Sequence, residues 1–263
     1  MKKPTTSTII ITIAVIAIIL ATVYVVYSNH SASTCTTAVR FIPIVGEITN
    51  AQDMNLGTSS TPEADEDTIL SELQSANNDG SVKAIVLLID SNGGYPETAE
   101  EIADEIGRIH KPIYALIRGN GDSAAYFIAS AANKIYAFQS SDVGSIGVTH
   151  SYVSDAEQNT NNGLTFISLS SGPFKDTGNS DKPVTQADKD YLMKSVMSQY
   201  NIFVSTVAKN RNMTTDQVEA LADGSSFLGA EALDDGLIDS DGGWDALWQE
   251  IDTHFNKPCY FVE

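Results

Sequence analysis

Cysteine is scarce in this sequence: Cys35 and Cys259 are the only two among 263 residues. Neither belongs to a C-x-x-C pair, so a structural zinc site or a thioredoxin-like motif is not supported. Outside the cytoplasm the two could form one disulfide, and the sequence equally allows two separate thiols. Basic residues are scarce as well, with 15 Lys and Arg against 34 Asp and Glu and a formal net charge of −19. Binding a phosphate backbone needs a basic face, so nucleic acid is not an expected partner. The acidic balance suits solubility and repulsion from anionic lipid surfaces. Histidine is limited to His30, His110, His150 and His254. An α/β-hydrolase would order its triad Ser, Asp, His, and only His254 could follow a late Asp. No Gly-rich loop surrounds it, so no histidine stands out as a catalytic base. Solenoid-type repeats and low-complexity tracts are absent too. What remains, with 42% hydrophobic and 19% charged residues, has the composition of an ordinary globular domain.

One long apolar run is present. Ile9 to Tyr27 carries no charge and would span roughly 28 Å as a helix, close to the hydrocarbon thickness of a bilayer. Lys2 and Lys3 precede it, and Arg40 is the next basic side chain after it. The positive-inside rule then puts residues 1–8 in the cytoplasm, residues 9–27 across the membrane, and the rest outside, at the extracytoplasmic face of the cell membrane. A cleaved signal peptide is the rival reading, but its apolar region would usually be only ~7–15 residues long. Residues 28–38 read as a stalk and 39–263 as the folded domain.

Through that domain strands and helices alternate. Val39 to Ile48 reads as a first strand ending in a turn, and the uninterrupted Ala84–Ile89 run as a buried parallel strand. Glu63, Asp65, Glu66 and Asp67 precede the periodic Ile69, Leu70 and Leu73, where acids favour a helix start. Pro96 to Ile109 has helical spacing. Pro112–Ile117 and Lys134–Phe138 read as strands, with a small apolar helix between them from Ser123 to Ala132. Thr165 to Leu169 reads as a strand. Asp188–Lys209 is a long helix, Thr215–Leu221 a short one capped by Thr214, and Ala230–Leu233 and Trp244–Phe255 are the last. This alternation implies an α/β fold with a largely parallel sheet.

Three segments carry possible chemistry. In Gly121-Asp122-Ser123-Ala124-Ala125 a serine sits at a strand-to-helix turn among small neighbours. The free N–H groups of the following helix suit a developing oxyanion, although a serine there is more often a plain N-cap. Asp90-Ser91-Asn92-Gly93-Gly94 follows the most apolar strand, and its paired glycines suit an oxyanion hole or merely a tight turn. Lys175 lies in Ser171-Gly172-Pro173-Phe174-Lys175-Asp176-Thr177-Gly178. A lysine can act as a base once desolvation lowers its pKa toward neutrality, although most lysines are simply solvated.

The ordered set DSNGG, GDSAAYFIASAA, SSDVGSIGV, SGPFKDTG and LADGSSFLGAEALDDGLID resembles the signal peptide peptidase A family, the serine–lysine peptidases of the crotonase/ClpP-like superfold. The resemblance runs from about Val39 to Trp248, and an N-terminal anchor fits the family. It implies repeated strand–turn–helix units, Ser123 as nucleophile, Lys175 as general base, Ser145 as the hydroxyl orienting the lysine amine, and Gly93 and Gly94 as the oxyanion turn. It implies no metal or cofactor. Membrane-associated peptides, such as cleaved signal peptides, would be the substrates. The short members of the family build their sites between subunits of a homo-oligomer, with serine and lysine from different chains. Asn92 stands where the family usually has Pro, and Ala124 and Ala125 where Gly-Gly is common, which could narrow the substrate site. Two other classes stay open: a crotonase-type acyl-CoA enzyme, and a non-catalytic membrane-tethered scaffold.

Overall fold

The longest uninterrupted apolar run becomes the centre of the sheet. In the computed structural model, which describes residues 38–50, 63–255 and 259–261, strand β4 (Val82–Ser91) lies between β1 (Ala38–Val45) and β5 (Ile113–Asp122), parallel to both. Its Ala84, Ile85, Val86, Leu87 and Ile89 are fully buried. Each such Ile or Leu contributes about 1.5–3 kcal/mol by leaving water. The expected cytoplasmic N-terminus, the membrane helix at 9–27 and all of the 28–38 stalk but Ala38, which begins β1, lie outside the described residues. No described helix is long and apolar enough to cross a membrane.

Strands alternate their side chains, so each must cover two faces. On one face Val39, Phe41, Val86, Leu116 and Tyr136 pack with Leu247 and Ile251 of the C-terminal helix. Helices from between the strands cover the other face. Helix α1 (Glu66–Asn78) opens with Asp65 accepting from Thr68 N–H and with Glu66 and Asp67 in its first turn, as its acidic start predicts. It buries Ile69, Leu73 and Ala76. Helix α2 (Pro96–Arg108) starts on a proline and buries Ala99, Ile102, Ala103 and Ile106, the spacing read from sequence. Helix α3 (Ala124–Ser130) is buried at every position.

Strand β5 is the hub. Its first half pairs with β6 (Lys134–Ala137), and its end pairs with β7 (Asp142–Gly144), both parallel. Beyond β7 lies the antiparallel edge strand β8 (Ser226–Leu228), and at the opposite edge β9 (Cys259–Phe261) pairs with β1. Strands β2 (Glu47–Thr49) and β3 (Glu63–Asp65) form a separate small pair. The sheet is thus largely parallel, within the compact unit Thr37–Glu263.

After β7 come the short helix α4 (Ala156–Asn161), the long α5 (Gln186–Arg211), and α6 (Thr215–Glu219), which Thr214 caps as expected. Helix α7 (Gly229–Asp234) and helix α8 (Gly243–Phe255) complete the chain's helices among the described residues. One expectation fails: Thr165–Leu169 is not a strand. Its β-branched and aromatic residues suit a strand, but Ile167 and Leu169 are 76% and 97% exposed, and no strand among the described residues pairs with it.

Candidate active site

The end of β5 places Ser123 in an unusual conformation. Its φ of 52° and ψ of −123° lie outside the extended region of an ordinary N-cap, and its side chain makes no capping bond to α3. The N-cap reading of this serine therefore fails. The backbone is held instead: Ser123 N–H donates to Gly144 O at 2.8 Å, and Ser123 O accepts from Phe127 N–H at 2.9 Å. The hydroxyl is left without a hydrogen-bond partner among the described residues. A left-handed φ at a non-glycine costs on the order of 1–3 kcal/mol and persists only where its surroundings over-determine it.

The same strain recurs nearby. Only Ser123, Ser145 and Asn212 have positive φ among the described non-glycine residues, and Ser145, at 45°, directly follows β7. Asn212 is a helix C-cap, an ordinary place for that conformation. Ser145 N–H donates to Ser225 O at 3.0 Å, and its Oγ donates to Gly224 O at 3.1 Å.

The glycine turn seats against the Ser123 turn. A Cβ on Gly93, whose φ is +106°, would lie 2.8 Å from Ser123 Cβ and 3.0 Å from Ala124 N. A Cβ on Gly94 would meet Ile48 O at 2.0 Å. The two glycines then part ways. Gly93 N–H is occupied, donating to Ser91 Oγ at 3.1 Å. Gly94 N–H has no acceptor among the described residues. Ala124 N–H, at the first position of α3, has no partner within its helix.

Ser123, Ser145 and Gly94 open onto one cavity of about 770 Å³, walled by Tyr95, Phe127 and Phe203. Gly93 does not line that cavity but a smaller pocket, with Asp90 and Asn92, that Gly94 also borders. Lys175 does not line the cavity. It sits on an exposed turn, and its ammonium has no partner among the described residues. Its neighbourhood is nonetheless ordered: Phe174 stacks on Tyr191 with ring centroids 4.7 Å apart. Asp188, buried in α5, accepts from Thr177 Oγ1, Lys182 Nζ and Thr185 Oγ1 at 2.8, 2.8 and 2.6 Å. Those donors, Lys182 foremost, hold its carboxyl well below the usual range.

Sequence reasoning missed His150, which lines the cavity. It also missed the aromatic wall, since Phe127 and Phe203 look like core residues and are in fact buried. No cluster of His, Cys, Asp or Glu suited to a metal ion occurs among the described residues.

The model of peptidase family S49 matches residues 105–256, and that of the Clp protease family matches residues 36–160. A protein of Enterococcus faecium named as a signal peptide peptidase SppA is 32% identical over 76% of the chain and 59% of its own length. Protease 4 of Haemophilus influenzae is 29% identical over 76% of the chain and 33% of its own length. Serine protease SPPA, chloroplastic, of Arabidopsis thaliana is 29% identical over 74% of the chain and 30% of its own length. The chain thus spans less than two thirds of each of these relatives.

Proposed function

The chain belongs to peptidase family S49, and on that premise we propose that it is a serine endopeptidase in which Ser123 is the nucleophile and Lys175 the general base. One observation carries the reading most strongly: two strained serines open onto a single cavity, one with its hydroxyl uncommitted. In the proposed reaction, neutral Lys175 Nζ takes the Ser123 hydroxyl proton as Oγ bonds to a peptide carbonyl carbon. The carbonyl oxygen becomes an oxyanion and accepts from Gly94 N–H and Ala124 N–H. Gly93 shapes the turn, since its own N–H is held by Ser91. The lysine returns the proton to the leaving amine as the C–N bond breaks. Water then attacks the ester carbonyl, giving up a proton to the lysine; the bond from the acyl carbon to Oγ breaks, and the lysine returns the proton to Ser123 Oγ. Ser145 would orient the amine.

The lysine comes from a neighbouring chain of a homo-oligomer. Its exposed position away from the cavity of its own chain supports this, as do the exposed apolar side chains around it. The substrates are membrane-associated peptides, cleaved signal peptides among them, that settle apolar side chains against Tyr95, Phe127 and Phe203. Ile9–Tyr27 anchors the chain with this domain outside the cell, and an intact mass lacking that segment would refute the anchor.

Labelling with a fluorophosphonate, using Ser123→Ala as control, is the deciding experiment. Label on the wild type alone is expected. A crotonase-type acyl-CoA enzyme or a non-catalytic scaffold would leave both proteins unlabelled.

A further inference from the structure

The two strained serines sit one position beyond a rung that crosses three strands. Asp122 of β5 faces Gly144 of β7, and Gly144 faces Ser226 of β8. Across this rung Ser226 Oγ donates to Asp122 Oδ1 at 2.8 Å. Because β8 runs antiparallel to β7, the residues beyond the rung are Ser123, Ser145 and Ser225, and Ser225 O accepts from Ser145 N–H. Asp223 Oδ1 fixes that stretch of chain, accepting from Ser225 N–H at 2.9 Å and Ser225 Oγ at 2.6 Å. Gly224, between them, holds the Ser145 hydroxyl.

Asp122 is an expensive residue for this place. Burial pushes its carboxyl up from the ordinary value, the Ser226 hydroxyl opposes that, and Asp142 adds like charge. Yet it is not among the residues lining the cavity, so it does not reach a substrate there. Its one side-chain hydrogen bond to another strand ends beside both strained turns. Strained backbone persists only where neighbours over-determine it, and this bond ties the end of β5, from which Ser123 emerges, to β8, whose preceding residues Gly224 and Ser225 hold Ser145.

We propose that the Asp122–Ser226 hydrogen bond is a positioning clip, which holds the turns at Ser123 and Ser145 in their left-handed conformations and so fixes both hydroxyls at the cavity. The clip rests on the peptidase reading for the use of Ser123. Asp122 and Ser226 are positioning residues: they act through the backbone of their neighbours, and the geometry needs an acceptor at 122 and a hydroxyl donor at 226, not a charge.

The test measures the second-order rate of Ser123 acylation by a fluorophosphonate in the full chain, together with kcat and KM on a peptide substrate and the melting temperature. Asp122→Ala and Ser226→Ala should each acylate about 10-fold more slowly, with kcat reduced and KM little changed. The double variant should be no slower than the worse single one, since both remove one interaction. Asp122→Asn keeps an acceptor oxygen and should restore the rate to within about 2-fold of wild type. Wild-type acylation in Asp122→Ala overturns the clip. So does slowing that matches a collapse in melting temperature, which would make the pair a fold staple, and so does an Asn variant as slow as Ala, which would make the charge the active feature. A wild-type protein that takes no label overturns the peptidase reading itself.

Discussion

The segment that carries Ser123 and the segment that carries Lys175 are built by opposite means. Ser123 leaves a strand paired on both sides, precedes a helix buried at every position, and has its own N–H and C=O engaged. Lys175 lies within residues 151–185, where the described chain forms no strand and only the short α4. There Val153, Ile167 and Leu169 are 78%, 76% and 97% exposed. The first arrangement holds a hydroxyl against strain. The second gathers three side chains of a loop on one carboxylate, that of Asp188, and leaves apolar surface exposed. Preorganisation of a nucleophile needs rigid neighbours, whereas an arm that reaches another chain needs surface to offer it. The contrast is what a site divided between two chains would require.

The largest effects test the division itself. Ser123→Ala and Lys175→Ala should each lower kcat by at least ~10³-fold, because a dyad acts as a unit. Ser145→Ala should lose less. Co-assembled Ser123→Ala and Lys175→Ala chains should regain part of the activity, by pairing an intact serine with an intact lysine. Particles verified to hold both chains yet inactive would refute the divided site, and near-normal turnover by Lys175→Ala would refute the dyad. Next comes a change confined to the rigid side. Gly93→Ala adds a methyl 2.8 Å from Ser123 Cβ at a left-handed φ. Activity should fall about 10²-fold, with hydrogen exchange in residues 172–185 unchanged. An active Gly93→Ala would mean that the turn tolerates displacement. A smaller effect follows from the proposed lysine base: only a neutral amine accepts a proton, so kcat/KM should rise with pH, by up to roughly tenfold per unit on the acid limb. A flat profile, or a step removed by His150→Ala, would transfer the base to the histidine at the cavity.

The rigid side was also the legible side. A short apolar run such as Ala84–Ile89, closed by the Gly93-Gly94 turn, has the length and composition of a buried strand, and the spacing in Pro96–Ile109 is that of one helix face. Gly93, Gly94 and Ser123 carry their chemistry in local sequence, because turns are local. The sequence could not say that Gly93 would spend its N–H on Ser91, a choice set by the bulge after Ile89. The arm misled for the same physical reason that it is exposed. Thr165–Leu169 has the β-branched and aromatic residues of a strand, but such composition does not supply a pairing partner, and none is found among the described residues. Nor could local sequence place His150 on the same cavity as Ser123, or bring Ser226 to Asp122, since both depend on the order of strands in the sheet.

The smallest expected effect separates the two sides by pH. Asp188 binds three parts of the arm at once: Thr177, Lys182 and Thr185. Its carboxyl is held well below its ordinary value by those donors. A depressed carboxyl stabilises the folded form above the unfolded value, near ~3.9, and that contribution is lost as pH falls toward the folded one. Asp188→Asn cannot ionise and gives up the charge-assisted bond to Lys182 at every pH. At neutral pH its amides in 172–185 should therefore exchange several-fold faster than those of the wild type, while amides of β4 and β5 match between the two proteins. Below about pH 4 the wild type should approach the variant, because protonation removes what the substitution removed. Comparing the two at the same pH cancels the intrinsic dependence of exchange on hydroxide. Equal exchange of the arm in both proteins at neutral pH would show that Asp188 does not hold it. Equal acceleration in β4 and β5 would show that arm and sheet open together, and the contrast between the two halves of the site would then be one of exposure alone.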